Sequence, residues 1–202
     1  MIVKRIAIIL VLVFGFQFTA KSQGIIFNYK QFKIPNEGIY VENYLSFVAS
    51  SLKYKPNENN KLQAKLVVTQ IIKQEDSIIG FKKYEVKSPE LIDSVALDFK
   101  DKKQFFLTPG TYFIEFEIVD LNRENPKTII TSKVIEVEEY SKTINISGIE
   151  LIDYYSKTGK EKNEFSKSGY DIYPLVSNYL PSEVEKLAYY FEIYNSNSLF
   201  IY

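Results

Sequence analysis

Apolar and polar residues alternate with a period of two along much of this chain, and that period limits the fold more than any other feature. The stretch LTPGTYFIEFEIVD (residues 107–120) shows the pattern clearly. Four of its residues share one face: Tyr112, Ile114, Phe116 and Ile118. Glu115 and Glu117 fall on the opposite face. Side chains alternate in this way along a β-strand, so the pattern predicts a strand with one buried face.

Similar alternating or β-branched segments recur before residue 141, separated by short polar or proline-containing clusters. They are GIYVENYLSFVAS, KLQAKLVVTQIIKQ, IIGFKKYEV, SVALDF and TIITSKVIEVEEY. About seven short strands without helical periodicity are typical of a β-sandwich. The sequence therefore predicts an all-β fold, with an immunoglobulin- or fibronectin-like β-sandwich over residues 23–141.

The pattern changes near residue 142. INISGIELIDYY, DIYPLV and VEKLAYYFEIYN each predict a strand, and LFIY (residues 199–202) begins a hairpin partner for the last of these. Three or four strands are few for an independent sandwich, so they either complete the first sheet or form a second, partial β-sandwich-like domain. We favour a second domain, truncated, over residues 142–202, because a final apolar strand would otherwise leave its edge unpaired.

The Pro-Gly pair that precedes Tyr112 suggests a structural role for this turn. In immunoglobulin-like sandwiches, a tyrosine near the start of the sixth strand bonds back to backbone a few residues upstream. Pro109 and Gly110 suit the centre of a type II turn. We therefore predict that Tyr112 joins the sheets at this corner, rather than that the turn binds a ligand.

Residues 1–22 have the three parts of a cleavable signal peptide. Lys4 and Arg5 precede an apolar segment (residues 6–18), and Ala20-Lys21-Ser22 is a small-x-small cleavage site. An apolar segment of about 13 residues is shorter than a membrane span requires. We predict export to the periplasm, the outer membrane or the exterior, with no membrane span after signal removal. An uncleaved anchor is the alternative.

The composition excludes several kinds of active site. The chain has no His and no Cys, so Ser-His-Asp and Cys-His mechanisms, disulfides and the usual zinc sites cannot form within it. Lys plus Arg equals Asp plus Glu, 25 against 25, which gives no basic face for nucleic acid. Phosphate-binding, dinucleotide, hydrolase and calcium-loop motifs are absent. We therefore predict no catalytic residue, no cofactor, no metal and no nucleic-acid partner.

The tyrosine-rich segment AYYFEIYN holds the candidate binding residues. Tyrosine is enriched at protein interfaces as well as in cores, and a covered glutamate needs a paired cation or a function. We predict a binding surface formed by Tyr189, Tyr190, Glu192 and Tyr194. A solvated sheet face is the alternative.

Several segments follow the signal in an order that resembles a known family. They are PNEGIYVENYL (residues 35–45), LTPGTY, ISGIEL (146–151), GYDIYP (169–174) and LAYYFEIYN (187–195). This order is similar to the N-terminal half of the GWxTD-domain secreted proteins of Gram-negative bacteria. The resemblance implies tandem sandwich-like domains in the cell envelope and no catalytic residue. The Gly-Trp-x-Thr-Asp motif itself is absent, since the chain has no Trp.

These features together predict a non-catalytic exported module that acts in protein–protein binding or scaffolding. Its contact would be a sheet face or an open sheet edge, to which a partner can add a strand. The partner would be another envelope protein or further domains of the same gene product. Carbohydrate binding by the tyrosine-rich face is the first alternative, and an enzyme of unknown class is the second.

Overall fold

The computed structural model describes residues 24–177, 179–180, 182 and 184–196. The predicted signal peptide (residues 1–22) and the predicted hairpin segment LFIY lie outside the described residues. Within them the fold is all-β, as the alternating pattern predicts. The described part of the chain has no helix that is long and apolar enough to cross a membrane.

Fifteen strands follow one another in the described residues, with a short 3-10 helix at Ala49–Ser51 after the second. They are β1 (Ile25–Ile34), β2 (Gly38–Phe47), β3 (Lys55–Pro56), β4 (Leu62–Gln63), β5 (Lys65–Gln74), β6 (Ser77–Lys87), β7 (Phe99–Phe106), β8 (Gly110–Asp120), β9 (Thr128–Val137), β10 (Asn145–Ile146), β11 (Glu150–Lys157), β12 (Ser166–Lys167), β13 (Tyr170–Pro174), β14 (Ala188–Tyr190) and β15 (Ile193–Tyr194).

Three antiparallel sheets form the layers of the molecule. The outer sheet has the strand order β6-β5-β8-β9, the central sheet β1-β2-β7 and the C-terminal sheet β12-β13-β11-β14. Two short ribbons, β3-β4 and β10-β15, flank them. The architecture is sandwich-like, while the immunoglobulin-like assignment stays a prediction.

The first core lies between the outer and central sheets. The four residues predicted to share a buried face of β8 are all buried there, at 0–2% exposure: Tyr112, Ile114, Phe116 and Ile118. Strands β2, β5 and β9 contribute Val41, Leu45, Val68 and Ile135 among others. The rings of Phe27 and Phe116 meet across the two sheets at 4.8 Å. Burial of each such side chain contributes about 1.5–3 kcal/mol.

Strand β2 is buried on both faces, although its sequence predicts an apolar face and a more polar one. Val41 and Leu45 face the first core. Tyr40, Glu42 and Tyr44 on the other face are also buried, because the C-terminal sheet covers them. The central sheet is therefore the middle layer of three.

Contacts between the central and C-terminal parts cross the predicted domain boundary at residues 141 and 142. The Gly148 N–H donates to the Gln31 carbonyl at 2.8 Å, and the Lys33 N–H donates to the Tyr194 hydroxyl at 2.9 Å. Asn28 also donates to the Val176 carbonyl. The two-domain division stays a prediction, but the two segments share a buried interface.

The corner before β8 is held by Tyr112, as predicted. Its hydroxyl donates to the Thr108 carbonyl at 2.7 Å, four residues upstream. The predicted turn type is wrong, because Gly110 begins the strand with φ of 153° instead of the value near 80° that a type II turn requires.

Several predicted strands have different bounds in the structure. KLQAKLVVTQIIKQ is divided into β4 and β5, and INISGIELIDYY into β10 and β11. SVALDF is not a strand: Ile92 and Val95 form an isolated bridge, and β7 begins only at Phe99. The segment VEKLAYYFEIYN contains two short strands, because β14 pairs with β11 whereas β15 pairs with β10. Between them, Ser147 bonds to the backbone of Glu192 through both its N–H and its hydroxyl oxygen.

Candidate functional site

Four charged side chains form a buried cluster between the central and C-terminal sheets. This charged cluster consists of Glu42, Lys102, Glu150 and Lys167, whose side chains are 0–8% exposed. Lys102 Nζ lies 3.1 Å from Glu42 Oε1. Lys167 Nζ lies 2.5 Å from Glu42 Oε2 and 2.6 Å from Glu150 Oε2. Burying charges is costly unless they are paired, and here two lysines neutralise two glutamates.

Strand register supplies the remaining partners of Glu42. The pairing of β2 with β7 places Gln104 opposite Glu42 and Lys102 opposite Tyr44. The Gln104 side-chain amide donates to Glu42 Oε1 at 2.6 Å, and the Tyr44 hydroxyl donates to Oε2. Both carboxylate oxygens of Glu42 therefore receive two donors each.

The two glutamates of the charged cluster have pKa values shifted in opposite directions. Burial favours the neutral acid at Glu42, but the charges of Lys167 and Lys102, with hydrogen bonds from Lys167 and Tyr44, outweigh it and lower the pKa. At Glu150, burial prevails over the single partner Lys167 and raises the pKa. Glu150 Oε1 has no hydrogen-bond partner among the described residues.

A cleft of about 670 Å³ opens beside the charged cluster. Three aromatic side chains line it, from β2, β7 and β14: Tyr40, Phe106 and Tyr190. Polar side chains fill the gaps between them, among them Glu42, Lys102, Gln104, Lys167 and Glu192. The cleft therefore combines aromatic faces with charged groups that are fixed by their own ion pairs.

One wall of the cleft comes from the loop at residues 158–169, which includes β12. The Asp171 carboxylate organises this loop, since Thr158, Asn163 and Ser166 donate to it at 2.9, 2.8 and 2.6 Å. The hydrogen bonds from Ser166 and the other two donors lower the pKa of Asp171. The loop in turn carries Lys167 into the charged cluster.

The structure brings three of the four predicted binding residues together. The hydroxyls of Tyr190 and Tyr194 donate to the two carboxylate oxygens of Glu192, each at 2.7 Å. Tyr190 and Glu192 line the cleft, whereas Tyr194 is buried behind it. Burial raises the pKa of Tyr190 to about 12, so this phenol keeps its proton at neutral pH. Glu192 thus bonds to two phenols instead of to a cation.

Tyr189 does not line the cleft but lies on a second surface, which Tyr190 also borders. There Tyr189 lines an apolar groove of about 310 Å³ together with Tyr155, Tyr170 and Leu187. These four side chains are 41–60% exposed. Phe191 and Ile193, which the period-two spacing would place on the face of Tyr189, are exposed as well. The four predicted residues therefore belong to two surfaces.

Sequence reasoning missed the charged cluster. In the sequence, Glu42 is a single charge on the more polar face of a strand, and Lys102 belongs to the charged group Asp101-Lys102-Lys103. The available signal was the pair of tyrosines, Tyr40 and Tyr44, that flank Glu42 on the same face. In the described part of the chain, no group of three or more potential metal-ligating side chains occurs.

Comparisons with protein-family models, curated proteins and solved structures find no match to this chain.

Proposed function

We propose that this chain is an exported, non-catalytic module that binds another protein through the apolar groove and the adjoining edge strand β14. The observation that carries this proposal is the exposure of Leu187 and Tyr189 beside Tyr155 and Tyr170. Contiguous exposed apolar side chains are costly in water and are characteristic of interaction surfaces. Tyrosine is among the residues enriched in such surfaces.

The position of β14 indicates how a partner would bind. β14 is the last strand of the C-terminal sheet and pairs with β11 along one edge. An extended segment of a partner could add to its other edge and form main-chain hydrogen bonds. Alternate apolar side chains of that segment would then fill the groove beside Tyr189. We therefore expect the partner, an envelope protein or a further domain of the same gene product, to present an extended segment with apolar residues at every second position.

Site-specific photo-crosslinking in the cells that produce the protein tests this proposal. A photoreactive phenylalanine analogue at Tyr189 should cross-link to one partner in the envelope fraction. The same analogue at Phe81 is the matched control, because Phe81 lies on the edge strand of the outer sheet and both side chains are 59% exposed. Mass spectrometry of the same material should show a mature N-terminus at Gln23.

Two results would contradict the proposal. One is equal cross-linking from both positions, which would indicate nonspecific contact. The other comes from a variant in which Leu187→Ser and Tyr189→Ser are introduced together and the probe is placed at Tyr155. Cross-linking of the same partner by this variant would show that the apolar groove is not the binding surface.

Carbohydrate binding is the second candidate function. The predicted tyrosine-rich face is divided between two surfaces, because Tyr189 lines the groove, Glu192 lines the cleft and Tyr190 borders both. The observation that favours a sugar ligand is instead the cleft, which Tyr190 and Glu192 line together.

A further inference from the structure

The size and aromatic walls of the cleft suit a small ring-shaped ligand. Its volume of about 670 Å³ falls within the roughly 300–1,000 Å³ that is usual for small-molecule sites. The rings of Tyr40 and Phe106 lie 6.1 Å apart and tilted, with Tyr190 also lining the cleft. The electron-rich face of an aromatic ring attracts the weakly positive C–H groups on the flat side of a pyranose.

Three of the four lysines that line the cleft are already paired with carboxylates, which argues against an anionic ligand; the fourth, Lys82, donates to the Gln104 carbonyl at 3.2 Å. Lys102 and Lys167 bind Glu42. Lys103 lies 2.6 Å from Asp101 and 3.2 Å from Glu164. At these three lysines a phosphate or carboxylate would have to displace a carboxylate that is already bound, and would gain little from cations that are already neutralised.

A cationic ligand is disfavoured for the corresponding reason. Glu42 receives two donors on each oxygen, and Glu192 accepts both phenolic hydroxyls of Tyr190 and Tyr194. A ligand hydroxyl differs from both kinds of ion, because it donates one hydrogen bond and accepts others. A ligand hydroxyl can therefore form hydrogen bonds with these side chains while their ion pairs and hydrogen bonds to one another stay intact.

The charged side chains beside the cleft are also preorganised by their contacts with one another. Glu42, Lys102 and Lys167 are more than nine-tenths buried and hold one another in place. Fixed binding groups lose little conformational freedom on association, so they discriminate well between ligand shapes.

We infer that the cleft binds a neutral mono- or disaccharide, with its ring against Tyr40, Phe106 and Tyr190 and its hydroxyls bonded to the paired side chains of Gln104, Lys167 and Glu192. This inference rests on the second candidate function and does not depend on the protein-binding groove. Tyr190 borders both surfaces, so Phe106 is the better residue for a test.

The test is a glycan array of neutral, sulfated, phosphorylated and sialylated saccharides, followed by calorimetric titration of the neutral disaccharides that bind. Phe106→Ala should weaken binding about tenfold or more, since it removes one aromatic wall. Phe81→Ala is the control and should leave the affinity unchanged, because both phenylalanines are 59% exposed and Phe81 does not line the cleft. Because the two side chains are equally exposed, a general loss of stability would affect both variants alike.

Three results would overturn the inference: no neutral saccharide with a Kd below about 10 mM, binding of anionic glycans alone, or equal affinity of Phe106→Ala and the unchanged protein. Phe106→Ala should not alter cross-linking from Tyr189. Failure of the sugar site is thus distinguishable from failure of the proposed protein contact.

Discussion

Glu42 and Glu150 are the same residue type, equally buried, and share the partner Lys167, but their stability effects should differ. Glu42 has four donors on its carboxylate, while Glu150 has Lys167 and one oxygen without a partner in the described structure. The lowered pKa of Glu42 means that the folded protein favours its carboxylate form. The stability that this carboxylate contributes is therefore fully present above pH 4.5, its ordinary pKa, and is lost as the pH falls through the pKa of the folded protein. The raised pKa of Glu150 has the opposite consequence: stability is lost as pH rises from 4.5 through its folded pKa.

We predict that Glu42→Gln lowers the free energy of unfolding by about 3–5 kcal/mol at pH 7, because it leaves Lys102 without a countercharge in a buried site. Glu150→Gln should change the free energy of unfolding by less than about 1 kcal/mol, because Lys167 still has Glu42 as its countercharge. Urea unfolding of both variants and the unchanged protein at pH 4.5 and pH 7 measures these effects.

The pH dependence is the internal control of this comparison. The free energy of unfolding of Glu150→Gln, relative to that of the unchanged protein, should be higher at pH 7 than at pH 4.5. Equal losses from the two substitutions at both pH values would show that the cluster does not distinguish its two carboxylates.

Among the elements, the loop at residues 158–169 depends on one carboxylate as well as on the short pairing of β12 with β13. Asp171 accepts side-chain hydrogen bonds from three of its neighbours, and the loop adds the Thr158 N–H to Gly169 carbonyl bond at 3.0 Å. Because Lys167 belongs to this loop, its position affects both the charged cluster and the cleft wall.

We predict that Asp171→Ala opens this loop locally while the rest of the fold persists. Loss of the three acceptor contacts should accelerate trypsin cleavage at Lys160 and Lys162, since a protease needs an extended, mobile segment. Mass spectrometry of timed digests locates the cuts. Asp153→Ala is the matched control, because Asp153 lies on β11 of the same sheet but pairs with Lys100 at 2.6 Å. Similar cleavage in both variants would contradict an organising role for Asp171.

At the scale of the whole molecule, the central sheet is shared by two buried interfaces. On one side it packs against the outer sheet through Val41 and Leu45. On the other side it packs against the C-terminal sheet. There Phe32 is fully buried, and the centroid of its ring lies 6.1 Å from that of Tyr190. Removal of the C-terminal sheet would expose that second face, including Tyr44.

We predict that a chain ending at residue 141 is less stable than the full chain by more than about 3 kcal/mol, because Glu42 loses Lys167 and Phe32 loses its cover. Its urea midpoint should fall, and it should bind a hydrophobic dye that the full chain does not bind. Urea titration and dye fluorescence of the two proteins measure this. An unchanged midpoint would instead support residues 23–141 as a domain that is stable by itself.

The period-two pattern by itself determined the class of fold and the inward face of β8. A strand's two faces are set by local geometry, so Tyr112, Ile114, Phe116 and Ile118 could be assigned together from their spacing. The bond from Tyr112 to Thr108 was likewise predictable, because both partners lie within one corner.

Only the tertiary structure decided which polar faces are covered. Glu42 and Lys102 are far apart in the chain, and their spacing says nothing about whether a second sheet lies over them. The same holds for the adjacent residues Tyr189 and Tyr190: Tyr190 reaches the cleft and the ring of Phe32, whereas Tyr189 lines the groove. Burial is a property of non-local packing, whereas alternation is a property of a single strand, so the sequence determined the strands and the packing of the sheets determined the site.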